Sequence, residues 1–367
     1  MKISVLNPHL GISVYGNQIH NYFLKYIKSS SNILISDFNI FRILKFLIFT
    51  FKKPDLISRK FFFKSLLSSG FKIRKKQKLY EAVFDFSCRE EFINPSFLSK
   101  ISKKQVFHLG DYFFGSSIEK RLKKYSECKN PILICYFGAG LDEKYLCYLL
   151  EKYNLKKNLL RVPFGCSDRF IKLNNMNKKN ILKKVNKVFI TGSINKIRSI
   201  ENTEAEVEAE DFFKSKKLLY MHPLRRSISL NKHLFNHKYF KVHLPKKHEG
   251  KAPDIDLINT MKRYRYSFST NSIFNFLPSK VYESMILGCV PIFLEEDFLK
   301  ELGFKHNFNC LIIKDFESIN NLSNELRSIT KIDDMQYYKI STNCVKFAEI
   351  NFTHERIKEF INKKLKL

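Results

Sequence analysis

Residues 271–293 read NSIFNFLPSKVYESMILGCVPIF, and they gather the side chains best placed to do chemistry. Pro278 and Ser279 signal the start of a helix, with Ser279 as its expected N-cap. Lys280, Glu283 and Leu287 then share one helix face at i, i+3 and i+7. Gly288 ends the helix, and 290–294 is the next strand. A lysine and a glutamate therefore lie side by side in the first turns of a helix at the mouth of a sheet. The N-terminus of a helix carries partial positive charge, so Lys280 and the local N–H groups can hold phosphate. The Glu283 carboxylate can accept hydrogen bonds from two vicinal ribose hydroxyls, each worth roughly 1.5–3 kcal/mol when charge-assisted. The plainer alternative is an exposed ion pair that stabilises only its own helix.

The elements around this stretch alternate in kind. Short apolar runs at 2–6, 33–36, 81–86, 105–109, 132–137 and 159–162 read as strands, and 17–28 as the first helix. A second series follows at 188–191, 218–222, 240–244, 266–269, 290–294 and 311–313. Between them, 172–187 is polar and basic and reads as an interdomain linker or a linking helix. Residues 343–367 read as a closing helix with Phe347, Ile350, Ile357 and Phe360 on its apolar side. Strands alternating with helices imply parallel sheets, whose ligands bind beyond the C-terminal strand ends. The expectation is an α/β chain of two Rossmann-like domains, 1–171 and 188–342.

Composition narrows the partners. The chain has 367 residues, 65 Lys+Arg against 35 Asp+Glu, and a formal charge of +30. The 36 Phe and 17 Tyr are too many for a disordered chain. Negatively charged partners are favoured, although a Lys-, Asn- and Ile-rich composition also arises from nucleotide bias alone. From Arg42 to Lys78 twelve cations and the single acid Asp55 are interleaved with phenylalanines, a pattern suited to an anionic membrane surface or to a solvated basic face. The opposite feature, 201–211, reads as an exposed acidic helix. None of the eight cysteines forms a CxxC, and most lie in apolar runs, as in a reducing cytosol. The N-terminus lacks the apolar core of a signal peptide, and the longest apolar run, 40–51, is too short to span a bilayer.

Several motifs fall short. Gly138-Ala-Gly140 lacks the third glycine of a dinucleotide loop, and Gly110-x4-Gly115 lacks the lysine of a P-loop. Asp254-x-Asp256 precedes a helical pattern and reads as capping rather than as a metal site. No RNA- or DNA-reading signature is present, so nucleic acid is not an expected partner.

The run PSKVYESMILGCVPIF resembles the C-terminal signature of glycosyltransferases of the GT-B fold, P-[ST]-K-x-x-E-x4-G-x-x-P-[IV]. The resemblance implies two Rossmann-like domains facing across a cleft, and transfer of a sugar from a nucleotide-sugar donor without a metal or other cofactor. It implies that Ser279, Lys280 and Glu283 bind the donor, Glu283 through the ribose. Many retaining members carry a further glutamate where this chain has Asn275. Residues 188–198 (VFITGSINKIR) resemble the phosphate-side loop, where Lys196 and Arg198 would meet the pyrophosphate. Arg225, in 222–226 (HPLRR), is a further phosphate candidate. Residues 7–26 resemble the family's first loop and helix, which makes Asn7, His9, Gly11 and Gly16 acceptor-side candidates. In 106–111 (VFHLGD), His108 and Asp111 stand where a strand opens into a loop, a place for a general base or for a group that stabilises the sugar cation. The acceptor is expected to be a glycan, a lipid-linked glycan or a protein. The expected location is cytoplasmic, with peripheral attachment to the inner membrane face through 42–78 as its extension. The competing readings are an inactive scaffold of the same shape and a basic nucleic-acid-binding protein.

Overall fold

The computed structural model describes residues 3–6, 32–34, 79–85, 95–109, 118–136, 144–166, 168–174, 177–192, 222–244, 257–269, 277–314 and 316–366. Asn7, His9, Gly11, Gly16, Asp111, Lys196, Arg198, Asn275, the basic segment 42–78, the acidic run 201–211 and Asp254-x-Asp256 lie outside them. Two parallel sheets follow one another along the chain. The first holds β1 (Ile3–Leu6), β2 (Asn32–Leu34), β3 (Tyr80–Asp85), β4 (Ser102–His108), β5 (Pro131–Tyr136) and β6 (Leu159–Val162) in the order β2-β1-β3-β4-β5-β6. The second holds β7 (Val185–Thr191), β8 (Phe240–His243), β9 (Tyr264–Phe268), β10 (Val290–Leu294) and β11 (Leu311–Ile313) in the order β11-β10-β9-β7-β8. The order in each sheet reverses once, beside its first strand, and such a reversal opens a crevice at the carboxyl ends.

Hydrophobic burial on both faces explains the strand sequences. Runs such as LIC at 133–135 and VPIF at 290–293 are buried throughout, as parallel sheets covered on both sides require. The sheets are spaced by helices. α1 (Pro95–Ile101), α2 (Ile118–Ser126) and α3 (Lys144–Lys152) serve the first. α4 (Asp168–Lys172) runs up to the stretch read as a linker, and α5 (Lys178–Leu182) lies within it. The second sheet carries α6 (His222–Leu230), α7 (Lys232–Phe235), α8 (Leu257–Arg263), α9 (Ser279–Ile286), α10 (Asp297–Glu301) and α11 (Ile319–Ile329). α12 (Asp334–Asn351) and α13 (His354–Leu365) close the chain.

Several elements depart from the sequence-based bounds for physical reasons. β9 opens at Tyr264 rather than 266, because Arg265 is buried: it pairs with Asp334 at 2.6 Å and donates to the carbonyls of Lys184 and Leu182. β7 opens at Val185, through an irregular step before Val188. His222 is the first residue of α6 and not the end of a strand. The expected closing helix is the end of α12 followed by α13. Thr353 caps α13 by accepting the Arg356 N–H, which fixes the break.

The chain passes from the first sheet to the second after β6 and comes back at the α12–α13 break, and these two passages are bonded to each other. The Cys166 N–H donates to Phe352 O at 2.6 Å, and the His354 N–H donates to Cys166 O at 3.2 Å. Tyr282 of α9 packs its ring 4.7 Å from that of Phe352, with a hydrogen bond to the Phe164 backbone. Arg161 and Glu301 add an ion pair at 2.8 Å. Gly165 makes the crossing feasible. Its φ is +75°, and a Cβ there would stand 2.2 Å from Ile357 Cδ1 and 3.1 Å from Phe352 O.

Gly165→Ala is expected to destabilise the chain by roughly 2 kcal/mol or more in chemical denaturation. Ile357→Val removes the colliding Cδ1 atom, so the double variant should lose less than the sum of the single losses. Strictly additive losses would show that the crossing is not confined by this contact.

Candidate functional site

The motif of 277–294 folds onto the switch point of the second sheet. Pro278, with φ −71° and ψ 156°, is the N-cap of α9, and it offers no side-chain cap. Ser279 is therefore the first helical residue and not the expected N-cap. A proline has no side-chain acceptor, so the first N–H groups of α9 keep their partial positive charge unscreened by a cap. Every residue from Val281 to Ile286 is buried. Ser284 Oγ lies 3.0 Å from Ser267 Oγ of β9, which fixes the helix on the sheet. Gly288, at φ +71°, turns the chain, and the Cys289 N–H reaches back to Ser284 O at 2.9 Å. Pro291 enters β10 one residue before its ladder to β11 begins at Ile292, where its missing N–H costs little.

Three predicted residues converge at the carboxyl end of β7. Lys280 Nζ donates to Thr191 O, across to the strand and not along its own helix. Arg225, in the first turn of α6, lies against Gly192. A Cβ at that glycine would stand 3.1 Å from Arg225 Cζ, so the glycine leaves room for the guanidinium to lie close over the strand end. Glu283, one turn below Lys280, is buried at 6% exposure. Burial is the main force that pulls Lys280 down to about 7, with the Arg225 charge adding to it and Glu283 opposing. Burial brings Arg225 down to about 10. Two cations thus crowd a partly dry site above a helix N-terminus, an arrangement that an added anion relieves.

Sequence reasoning missed His243. It ends β8 in register with Thr191, and its carbonyl accepts the Gly192 N–H at 3.3 Å. Its Nε2 is buried without a hydrogen-bond partner among the described residues, and burial followed by the Lys241 charge lowers its pKa. Its only sequence signal was a histidine at the end of a short strand.

His108 belongs to the first sheet. It ends β4, in register with Ile134, as the sequence placed it. The imidazole is only 1% exposed. Asp85 and Arg121 are also buried near these strand ends, and Arg121 Nη1 donates to Leu109 O at 3.1 Å. Asp85 could have been noticed as a carboxylate closing an apolar strand. Arg121 could not, because KRLKK reads as a solvated helix face. Among the described residues no group of three His, Cys, Asp or Glu side chains has metal-holding geometry. The described cysteines are free thiols, and all but Cys147 are buried.

No protein-family model matches the chain, and no curated protein matches its sequence. Among solved structures, Anabaena Alr3699/HepE in complex with UDP is 11% identical, with 100% of each chain covered and a TM-score of 0.53. The same protein with UDP and glucose is 12% identical, with 100% of this chain and 99% of that chain covered, and a TM-score of 0.52. With UDP-glucose it is 13% identical over 100% and 99%, with a TM-score of 0.51. The likeness is one of fold. The two parallel sheets are those of the GT-B glycosyltransferase architecture.

The Lys280 environment sets a pH signature. Its pKa is lowered on folding, so the unfolded chain binds more protons between about pH 7 and its ordinary value of 10.5. Stability contributed at this position should therefore rise with pH across that window. In urea titrations, Lys280→Met should lose ground to the parent as the pH climbs from 6 to 9. A pH-independent difference would contradict the burial of this amine.

Proposed function

We propose that the chain is a glycosyltransferase that moves a sugar from a nucleotide-sugar donor to a hydroxyl acceptor. The observation that carries this reading is the convergence of Lys280, Arg225 and the uncapped start of α9 at the switch point, with Glu283 one turn behind. In this reading the donor diphosphate sits on the two cations and the first N–H groups of α9. Glu283 accepts from the ribose hydroxyls. Lys196, Arg198 and Asn275 complete the donor side. The HepE structures, which contain UDP, UDP with glucose, or UDP-glucose, support a nucleotide-sugar ligand for this fold.

The reaction then follows from charge. The acceptor hydroxyl attacks the anomeric carbon while the bond from that carbon to the diphosphate oxygen breaks. The electron pair leaves with the nucleoside diphosphate, and the hydroxyl proton passes to a base. Fixed cations and helix N–H groups stabilise the leaving charge without reorganising, which is where such a site gains most. No divalent cation is needed for that role. The first domain, 1–171, supplies the acceptor side through Asn7, His9, Gly11 and Gly16. His108, with Asp111, is its candidate base, reached when the site closes. The domain 188–342 holds the donor, and 343–367 returns to the first. The acceptor is a glycan, a lipid-linked glycan or a protein, and transfer takes place in the cytoplasm.

Thermal melting with UDP, GDP, CDP, dTDP and their sugar conjugates tests the reading. One nucleotide class should stabilise the chain selectively, and EDTA should not abolish the effect. Glu283→Gln, folded, should weaken that ligand by roughly one to two powers of ten. Absence of stabilisation by every nucleotide, in a chain that melts cooperatively, would overturn the reading in favour of an inactive scaffold.

A further inference from the structure

The amino-terminal edge of the first sheet carries a charged face that the proposed chemistry does not use. Parallel strands all begin on one side, and here the segments that begin them are lysine-bearing. Lys100 lies in the last turn of α1, Lys103 is the second residue of β4, Lys129 precedes β5, and Lys156 and Lys157 precede β6; all five are exposed. Neighbouring strands lie only ~4.8 Å apart, so these side chains form one rim. Side-chain bonds confirm the closeness. Asn130 Nδ2 donates to Lys103 O at 3.1 Å, and the Lys129 N–H donates to Ser99 Oγ at 3.0 Å. The end of α13 joins the same rim, because Lys104 Nζ donates to Leu365 O, which brings in exposed Lys363, Lys364 and Lys366.

Few acids oppose these cations. Glu81 is held by Lys103 at 2.8 Å and Glu151 by Lys156 at 2.6 Å, which leaves Glu127 as the remaining acid of the turns and strand starts on this edge. Among the described residues none of Lys100, Lys129, Lys157, Lys363, Lys364 and Lys366 is in an ion pair. Two further features lie among them. Leu79, the residue before β3, is 55% exposed. An open hollow of about 440 Å³ is lined by Glu151, Asn154, Lys156 and Lys157.

We propose that this rim docks the protein on a bilayer containing anionic lipids. Diffuse lysine ammonium groups suit a field of headgroup charge, whereas proteins that read or stack bases add arginine forks and aromatic platforms to their cations. The exposed Leu79 side chain suits the boundary between headgroups and acyl chains, and the hollow can seat a headgroup. The rim is built from residues other than those of the segment 42–78. Docking through it leaves the carboxyl ends of the first sheet's parallel strands facing away from the lipid.

The test is vesicle flotation of the full chain with phosphatidylcholine alone and with roughly one third phosphatidylglycerol, each lysine near an anionic surface being worth several-fold in binding. The parent should float only with the anionic vesicles, and less as salt rises. Lys129→Glu/Lys157→Glu/Lys364→Glu should weaken binding at least about tenfold. Lys331→Glu/Lys339→Glu/Lys346→Glu makes the same charge change at exposed positions elsewhere and should leave most binding intact. Leu79→Ser should weaken flotation and leave retention on single-stranded DNA unchanged. Three results would overturn the proposal: no flotation, equal losses in the two triple variants, or tighter and equally rim-dependent binding to DNA than to vesicles.

Discussion

Lys184, Arg265 and Lys280 are cations taken out of water in the second sheet, and main-chain carbonyls take up much of their donor capacity. Lys184 Nζ donates to Met261 O at 2.9 Å, Arg265 donates to the carbonyls of Lys184 and Leu182, and Lys280 donates to Thr191 O. A carbonyl satisfies a donor but does not neutralise a charge, so burial pulls Lys184 down to about 8 and Lys280 to about 7. The two ends of the sheet put this to different use. At the amino end, Lys184 and Arg265 lock α5, β7, α8 and β9 together, and Asp334 completes the charge of Arg265. At the carboxyl end, Lys280 and Arg225 crowd each other. The same device is structural at the amino end and, in the proposed reading, serves a ligand at the carboxyl end.

α9 couples that end to the rest of the chain. Its first turn faces the cations, and its buried face belongs to the core that is continuous with the first sheet. Tyr282 reaches the paired crossings at Phe164 and Phe352. Behind it, Gly288 O accepts from Ser341 Oγ at 2.9 Å and from the Tyr337 hydroxyl at 3.2 Å, which secures α12. The burial pattern of α9 follows from this position. A helix wedged between sheet, crossing and α12 has no solvent face, so its only ionisable groups are those with partners or with a task.

Much of this was legible because it rests on local rules. Gly288 and Pro291 are readable, since one takes a positive φ and the other enters a strand before its ladder to β11 begins. The apolar strands are readable because both faces are covered. What escaped was the burial of charge. Arg265 hid the start of β9, and the buried Arg121 went unremarked, because a sequence does not display the carbonyls that receive them. The α12–α13 break was missed although Thr353 is a good capping residue, since the apolar spacing runs through it. Ser279 was misplaced by one position because Pro278 itself takes the extended cap conformation. The meeting of Arg225 with Gly192 depends on topology alone.

The strands at the margins of the two sheets bear on how the chain survives its own synthesis. β2 and β11 have three residues each, and β6 and β8 four, while the inner β4 and β7 reach seven. Arg161 stands within β6 and exposed Lys241 within β8. A sheet margin offers unpaired N–H and C=O groups to any neighbouring chain, and brevity and charge are the usual means of blunting it. With 36 phenylalanines in reserve, a partly folded copy has every chemical reason to associate with its neighbours. Margins this short leave little template for growth into ordered aggregates, so the colloidal behaviour of the protein is set at its outermost strands as much as by its net charge.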